Sequence, residues 1–195
     1  MEREEIHNGI RVKSRYPDAP KAGLPPILLV HGAWHGVWCW EAHYMPFLEA
    51  QGYEVHALDL RGHGKSEAKS PMRWNRMSGY CDDVEEVVRQ MDRPPVVVGH
   101  SMGGLVVQHL LQRDAEISGA VLLGTVPSYG VWKVTLKTAT SRPLAFAKTN
   151  LTMSLWPLVA KEAEARDMFL DLDVDPKTSI EFWKQLSDES YLGFL

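Results

Sequence analysis

The stretch Val96-Val97-Val98-Gly99-His100-Ser101-Met102-Gly103-Gly104 constrains this chain more than any other. Three β-branched residues run into a glycine, a serine follows, and two glycines open the apolar run Leu105-Val106-Val107. The pattern predicts a buried strand, a tight turn and a helix, with Ser101 at the apex of the turn. Such a turn forces its apical residue into a sparsely populated backbone conformation and lifts the hydroxyl clear of the main chain. Gly99 and Gly103 keep neighbouring side chains out of the approach. Ser101 therefore reads as a nucleophile, against the plainer alternative of a strand-to-helix turn whose serine caps the helix.

The rest of the chain takes its place around this turn. Ile6, Ile10, Val12 and Tyr16 are spread among charged residues about Asn8-Gly9, which predicts an opening antiparallel hairpin. The apolar runs Ile27 to Val30, Val55 to Leu58 and Gly119 to Gly124 are of the length and composition buried in a parallel sheet. Helices are expected from about Glu41 to Gln51 with Gly52 as the C-terminal cap, from about Asp82 to Met91, and from the turn at Ser101 to about Arg113. Strands alternating with helices at this spacing imply right-handed βαβ units and a mostly parallel α/β sheet with flanking helices. From Pro127 onward apolar strands cease, and amphipathic stretches at about 129–139, 142–155, 161–171 and 176–188 predict helices. The expected division is a core over 1–127 and a helical cap over 128–195.

Charge narrows the class of partner. The chain has 21 basic and 25 acidic residues, a formal net charge of −4, with no block of either sign. Neither a nucleic-acid nor a membrane footprint is visible, and a small-molecule substrate is expected. The N-terminus, Met1-Glu2-Arg3-Glu4-Glu5, is charged where a secretory signal would be apolar, and no run approaches the about 18 apolar residues of a membrane span, so the expected address is the cytoplasm. Cys39 and Cys81 lack metal-ligand spacing and read as small buried hydrophobes. No metal and no cofactor are expected.

Three motifs carry a resemblance. Leu29-Val30-His31-Gly32-Ala33-Trp34, the loop Asp59-x-Arg61-Gly62-x-Gly64-x-Ser66, and Gly99-x-Ser101-x-Gly103 occur in the order and at the intervals of α/β-hydrolase fold enzymes. The resemblance implies an α/β-hydrolase sheet, C-terminally incomplete, with a variable helical cap. It implies an esterase-like serine hydrolase acting on a carboxylic ester or thioester through an acyl-enzyme on Ser101. The backbone N–H groups of Ala33 and Met102 would form the oxyanion hole. His31, Gly32, Gly99, His100 and Gly103 would support the elbow and its neighbouring loop, and Asp59 would brace the RGHG loop. Trp34, Trp38, Met153, Leu155 and Trp156 are expected to line an apolar pocket or simply to pack the core.

The resemblance is incomplete where a base is needed. In this fold the acid and the histidine follow the serine in the chain, and after Ser101 the sole histidine is His109, on the helix that follows. His35 is near the proposed oxyanion loop and is expected to pack there. His63 is expected at the loop surface, and Asp171, Asp173 and Asp175 are read as solvated. Losing a triad base costs on the order of 10^6 in kcat. The expectation is therefore that this is the front part of a longer hydrolase. The alternatives are a non-catalytic ligand-binding or scaffold relative, and association with another chain through the apolar edge strand at Gly119 to Thr125.

Overall fold

The computed structural model describes residues 1–171 and 173–194. β1 (Glu2–His7) and β2 (Ile10–Arg15) form the expected antiparallel hairpin. They are joined by Asn8 and Gly9 at φ of 50° and 81°, the pair of left-handed residues that a two-residue hairpin turn demands. β2 pairs antiparallel with β4 (Val55–Leu58), and β4, β3 (Ile27–Val30), β5 (Val96–His100) and β6 (Gly119–Leu123) continue as parallel strands. In the order β1-β2-β4-β3-β5-β6, strands β3 and β5 are neighbours, so the loops leaving their carboxyl ends meet.

Period-two alternation sorts the short strands onto two faces. Leu28, Val30, Leu58 and Val97 pack with Val84, Val87, Val106 and Leu110 from α3 (Met77–Arg89) and α4 (Met102–Leu111). Ile27, Leu29, Val55 and Ala57 pack on the other face with Trp40 of α1 (Trp38–Glu41) and Met45 of α2 (Tyr44–Ala50). A sheet with helices on both faces is the arrangement the strand pattern implied.

Two helix boundaries differ from expectation. The helix expected from Glu41 to Gln51 is broken at Ala42-His43, because Pro46 lacks an N–H and its ring excludes a helical carbonyl four residues earlier. It sits in the first turn of a new helix, which ends in the expected way: Gly52, at φ 89°, donates to the Glu49 carbonyl, and Tyr53 N–H reaches back to Leu48. Helix α3 starts at Met77, five residues before the expected Asp82. Gly79 weakens the helical signal there, but a Cβ at that position would lie 2.7 Å from Arg61 Nη1. Arg61 lies against this face, its Nε and Nη2 donating to Asp83 at 2.9 and 2.7 Å.

After β6 the described chain is helical, with α5 (Trp132–Ser141), α6 (Pro143–Thr152), α7 (Glu162–Phe169) and α8 (Pro176–Gln185). Asp175 is exposed and caps α8, accepting from Thr178 N–H at 3.0 Å. Val159, Ala165 and Leu186 are buried in the core that contains Leu28 and Val30, which ties this region to the sheet. Strand β6 is the sheet edge, and its Val121 and Leu122 are 42% and 41% exposed. No helix among the described residues is long and apolar enough to cross a membrane.

The N-terminus of α4 crosses the end of β3 at backbone contact. A Cβ on Gly103 would fall 2.4 Å from the Val30 carbonyl oxygen and 2.5 Å from that of His31, and one on Gly99 would fall 2.4 Å from the Gly103 oxygen. Gly103→Ala should therefore lower the unfolding free energy by about 3 kcal/mol or more. Gly119→Ala, whose new Cβ would meet nothing nearer than 3.7 Å, should stay within about 0.5 kcal/mol of wild type. Urea denaturation of the two variants checks both.

Candidate active site

Ser101 stands between β5 and α4 at φ 52° and ψ −115°. The strain is held by its peptide groups: the N–H donates to the Leu123 carbonyl at 2.9 Å, and the carbonyl accepts from Gly104, Leu105 and Val126 N–H at 3.1, 3.3 and 3.1 Å. Ser101 occupies the N-cap position of α4, yet its side chain makes no capping bond. A capping serine reaches the helix amides from the extended region of backbone space, and Ser101 is not in that region. Its hydroxyl, on a half-buried residue, is thus not spent on the helix.

The loop after β3 lies directly against this turn. A Cβ on Gly32 would be 3.0 Å from Ser101 Cβ and 3.1 Å from His100 Nδ1. The next peptide units are tied down almost completely. The Gly32 carbonyl accepts from His35 N–H at 3.3 Å and from His31 Nδ1–H at 2.8 Å. The Ala33 carbonyl accepts from His35 Nδ1–H at 2.6 Å. Trp34 N–H donates to Glu189 Oε2 at 3.2 Å, and the Trp34 carbonyl accepts from Ser187 N–H at 2.9 Å. The Ala33 N–H has no acceptor among the described residues. Trp34 is held at φ 62°, a conformation costing a bulky residue about 1–3 kcal/mol unless its surroundings fix it. Across the contact, Met102 is the first residue of α4, where helix N–H groups have no intrahelical partner and the dipole is positive.

Two buried groups join the neighbouring loops. His31 Nε2 accepts from Leu60 N–H at 3.0 Å while its Nδ1–H donates to Gly32, which fixes one neutral tautomer. Burial, aided by the charge on nearby His63, pushes its pKa down to about 3. Asp59 accepts from Val37 N–H at 2.6 Å, Lys65 N–H at 3.0 Å and Arg11 Nη1 at 3.1 Å. Only glycine fits at position 64, where a Cβ would lie 2.3 Å from the Asp59 carboxylate.

His63 is not at the surface; it is fully buried against Glu189, a residue the sequence reading did not single out. His63 Nε2–H donates to Glu189 Oε2 at 3.0 Å and its Nδ1–H to the Arg61 carbonyl at 3.2 Å. Both ring nitrogens face acceptors, an arrangement that the protonated ring satisfies with two donors. Glu189 Oε1 accepts from Tyr80 OH at 2.8 Å and from Ser190 N–H at 2.6 Å. With Trp34 N–H on Oε2, the carboxylate holds four donors, two per oxygen. Burial alone would lower the His63 pKa, and the Glu189 charge and hydrogen bond outweigh it, so the net shift is upward. Burial would raise the Glu189 pKa, and His63 with the other donors brings it below the usual carboxylate value.

The other expected site residues divide by environment. His35, pushed down by burial to a pKa of about 4, stacks on Trp38 with centroids 5.1 Å apart and meets the edges of Phe169 and Phe182. Trp34 meets Phe169 at 5.7 Å. Trp34 and Trp38 are thus brought together around His35, while Trp156 packs on the same core from a separate turn fixed by Asp188. His100 is half-buried, with ring contacts at 6.3 Å to His35 and to Trp40. His109 is half-buried on α4. No histidine among the described residues hydrogen-bonds Ser101. A Ser–His–carboxylate chain does occur elsewhere, with Ser14 Oγ 2.7 Å from His56 Nδ1 and His56 Nε2 3.0 Å from Glu54 Oε1. It links paired strands, and Ser14 is buried at 2% exposure, so this hydroxyl is not accessible to a substrate.

The His63–Glu189 pair makes stability depend on pH from both sides. The raised imidazole contributes below its ordinary pKa of about 6.5 and is lost as pH rises through the folded value; the lowered carboxyl contributes above about 4.3 and is lost as pH falls through its folded value. The urea midpoint should therefore be highest between these limits and fall on either side. In His63→Gln the component of the alkaline fall that comes from this imidazole should be absent.

Comparison with known proteins bears on the family and the fold. A model of the Alpha/beta hydrolase family matches residues 27–191. Methylesterase 2 of Arabidopsis thaliana is 40% identical over 81 residues, covering 40% of this chain and 30% of that protein. A pimeloyl-[acyl-carrier protein] methyl ester esterase of Nitrosospira multiformis is 33% identical over 109 residues, covering 54% and 40%. The chain thus spans well under half the length of these curated relatives. Among solved structures, an N-acyl homoserine lactonase complexed with N-butanoyl homoserine superposes with TM-score 0.54 at 30% identity, covering 65% of this chain and 46% of that one. A thioesterase domain from the curacin biosynthetic pathway shares the fold with TM-score 0.60 at 20% identity, covering 99% and 67%. With the family model matched over most of its length and the sheet order to go with it, the chain belongs to the alpha/beta hydrolase family.

Proposed function

We propose that this chain carries the nucleophile and oxyanion hole of a serine hydrolase that cleaves small carboxylic esters or thioesters. The observation that supports it best is the position of Ser101, strained at φ 52°, relieved of any capping role and in contact with the loop that holds the unspent Ala33 N–H. In the proposed reaction Ser101 Oγ attacks the substrate carbonyl carbon, its proton passes to a general base, and the carbonyl oxygen becomes an oxyanion. The Ala33 and Met102 N–H groups donate to that oxygen, each such donor being worth about 3 kcal/mol in the transition state. Collapse expels the alcohol or thiol and leaves an acyl group on Ser101, which water then removes. The names of relatives, methylesterase and methyl ester esterase, support an ester substrate.

In this proposal residues 128–195 act as the cap, and Trp34, Trp38 and Trp156 border the acyl or alcohol site. No residue of this stretch is assigned as base or acid. The neutral, aromatic-boxed His35 spends its Nδ1–H on Ala33 and serves the loop. That no base hydrogen-bonds Ser101 among the described residues favours one second reading, a relative that binds ester-like ligands without turning them over.

The two readings separate on the full-length protein treated with a fluorophosphonate probe and assayed with p-nitrophenyl acetate. The expected outcome is a single adduct on Ser101 and hydrolysis that falls at least about 10^3-fold in Ser101→Ala. No adduct at Ser101, together with unchanged ligand affinity in Ser101→Ala, would establish the binding reading instead.

A further inference from the structure

The Ala33 N–H has no acceptor among the described residues in a loop held by several hydrogen bonds, and one of those bonds comes from a residue 155 positions away. A peptide unit is planar, so fixing its two polar ends fixes its orientation. The Ala33–Trp34 unit is fixed in this way, with its carbonyl on His35 Nδ1–H at 2.6 Å and its N–H on Glu189 Oε2 at 3.2 Å. The following unit is fixed by Ser187 N–H on the Trp34 carbonyl and by Gly32 on His35 N–H. Trp34 between them is in the left-handed region, which a tryptophan does not hold without such restraints. The Ala33 N–H belongs to the preceding unit, whose Gly32 carbonyl is held by His31 Nδ1–H at 2.8 Å and His35 N–H at 3.3 Å, and the Ala33 dihedral angles couple that unit to the two that follow. Of the restraints, the His35 and Gly32 bonds are internal to the loop and move with it. Glu189 and Ser187 anchor it from outside.

We propose that Glu189 is a positioning residue for the oxyanion hole. Its Oε2 holds the Trp34 peptide so that the Ala33 N–H points at the site where the oxyanion forms. The His63 imidazolium, on the same oxygen at 3.0 Å, keeps that carboxylate ionised inside the protein. Tyr80 serves the other oxygen and does not touch the loop. The 187–190 segment, next after α8 in sequence, thereby governs a donor at the catalytic centre, and displacing this segment releases the donor. This inference rests on the hydrolase reading above and adds to it a residue that acts through another.

The test separates positioning from simple support of the fold. Glu189→Gln removes the acceptor pairing on one oxygen, whereas Tyr80→Phe removes a donor from the other and leaves Oε2 on Trp34. Both lower thermal stability. In the full-length protein, Glu189→Gln should lower kcat for p-nitrophenyl acetate at least about 10-fold with KM within about 2-fold, and weaken binding of phenylboronic acid by a similar factor. That ligand forms an Oγ–B bond to Ser101, releases a proton to solvent, and presents a tetrahedral oxygen to the hole. Tyr80→Phe should change kcat by less than about 2-fold. In proton–nitrogen NMR spectra of the protein without ligand, the Ala33 and Trp34 amide resonances should shift in Glu189→Gln and hold still in Tyr80→Phe. If Glu189→Gln does not fold, Glu189→Asp carries the same test, since it keeps a charge for His63 but shortens the reach to Trp34.

Equal losses of kcat in Glu189→Gln and Tyr80→Phe, or a loss confined to KM, would overturn the inference while leaving the hydrolase reading intact. Full activity in Ser101→Ala, or neither hydrolysis nor boronate binding by the wild-type protein, would sink the hydrolase reading and the inference with it.

Discussion

Where α4 crosses the end of β3, two stretches of backbone touch with no side chain between them, Gly103 against the carbonyls of Val30 and His31. That contact brings the first turn of the helix alongside the loop that leaves β3, and the other features of the site adapt to it. Ser101 is driven into positive φ because the chain must turn from strand to helix within a single residue. Gly32 must be bare because Ser101 Cβ and His100 occupy the space where a side chain would go. Each strained residue costs of order 1–3 kcal/mol. The four hydrogen bonds to the Ser101 peptide groups, at about 1 kcal/mol net apiece, are of the size needed to offset that cost.

The loops around the elbow are joined to one another by buried polar groups rather than by apolar packing. His31 connects the loop after β3 to Leu60, and Asp59 connects Val37 to Lys65 and Arg11. Loops carry backbone groups that no ladder satisfies, and in a buried site those groups need acceptors and donors from side chains. This explains why the residues that order the site are histidines and a carboxylate although none of them hydrogen-bonds Ser101. Perturbed titration often marks a reacting group; for His31 and His35 it instead reports burial of a ring whose task is to hold a carbonyl.

The strands, the hairpin and the elbow were legible in the chain because each is written locally, in β-branched runs, in Asn8-Gly9 and in the glycines about Ser101. The start of α3 was not, because Gly79 serves Arg61, a partner 18 positions earlier in the chain, and helix propensity carries no record of that contact. The break at Ala42-His43 was not read either, although Pro46, which causes it, is a local signal. Glu189 lies just past the stretch 176–188 expected to be helical, and nothing local in Ser187-Asp188-Glu189-Ser190 marks it as buried. Its burial follows from the meeting of four distant segments. His63 was misplaced for the same reason, since a histidine among glycines reads as exposed until its partner 126 residues on is known.

A buried ion pair is a costly way to fill space, and apolar residues of the same volume often give a more stable protein. Here, apolar replacements would leave Trp34 N–H, Tyr80 OH and Ser190 N–H without acceptors in a dry environment, at about 1–3 kcal/mol for each group. A backbone carbonyl would satisfy one or two of them. A carboxylate takes all of them together with His63, from the loop after β3, the loop after β4, helix α3 and its own segment. The geometry of those donors accounts for a charged residue at position 189 more directly than any gain in stability, and the imidazolium is what permits the charge to remain there.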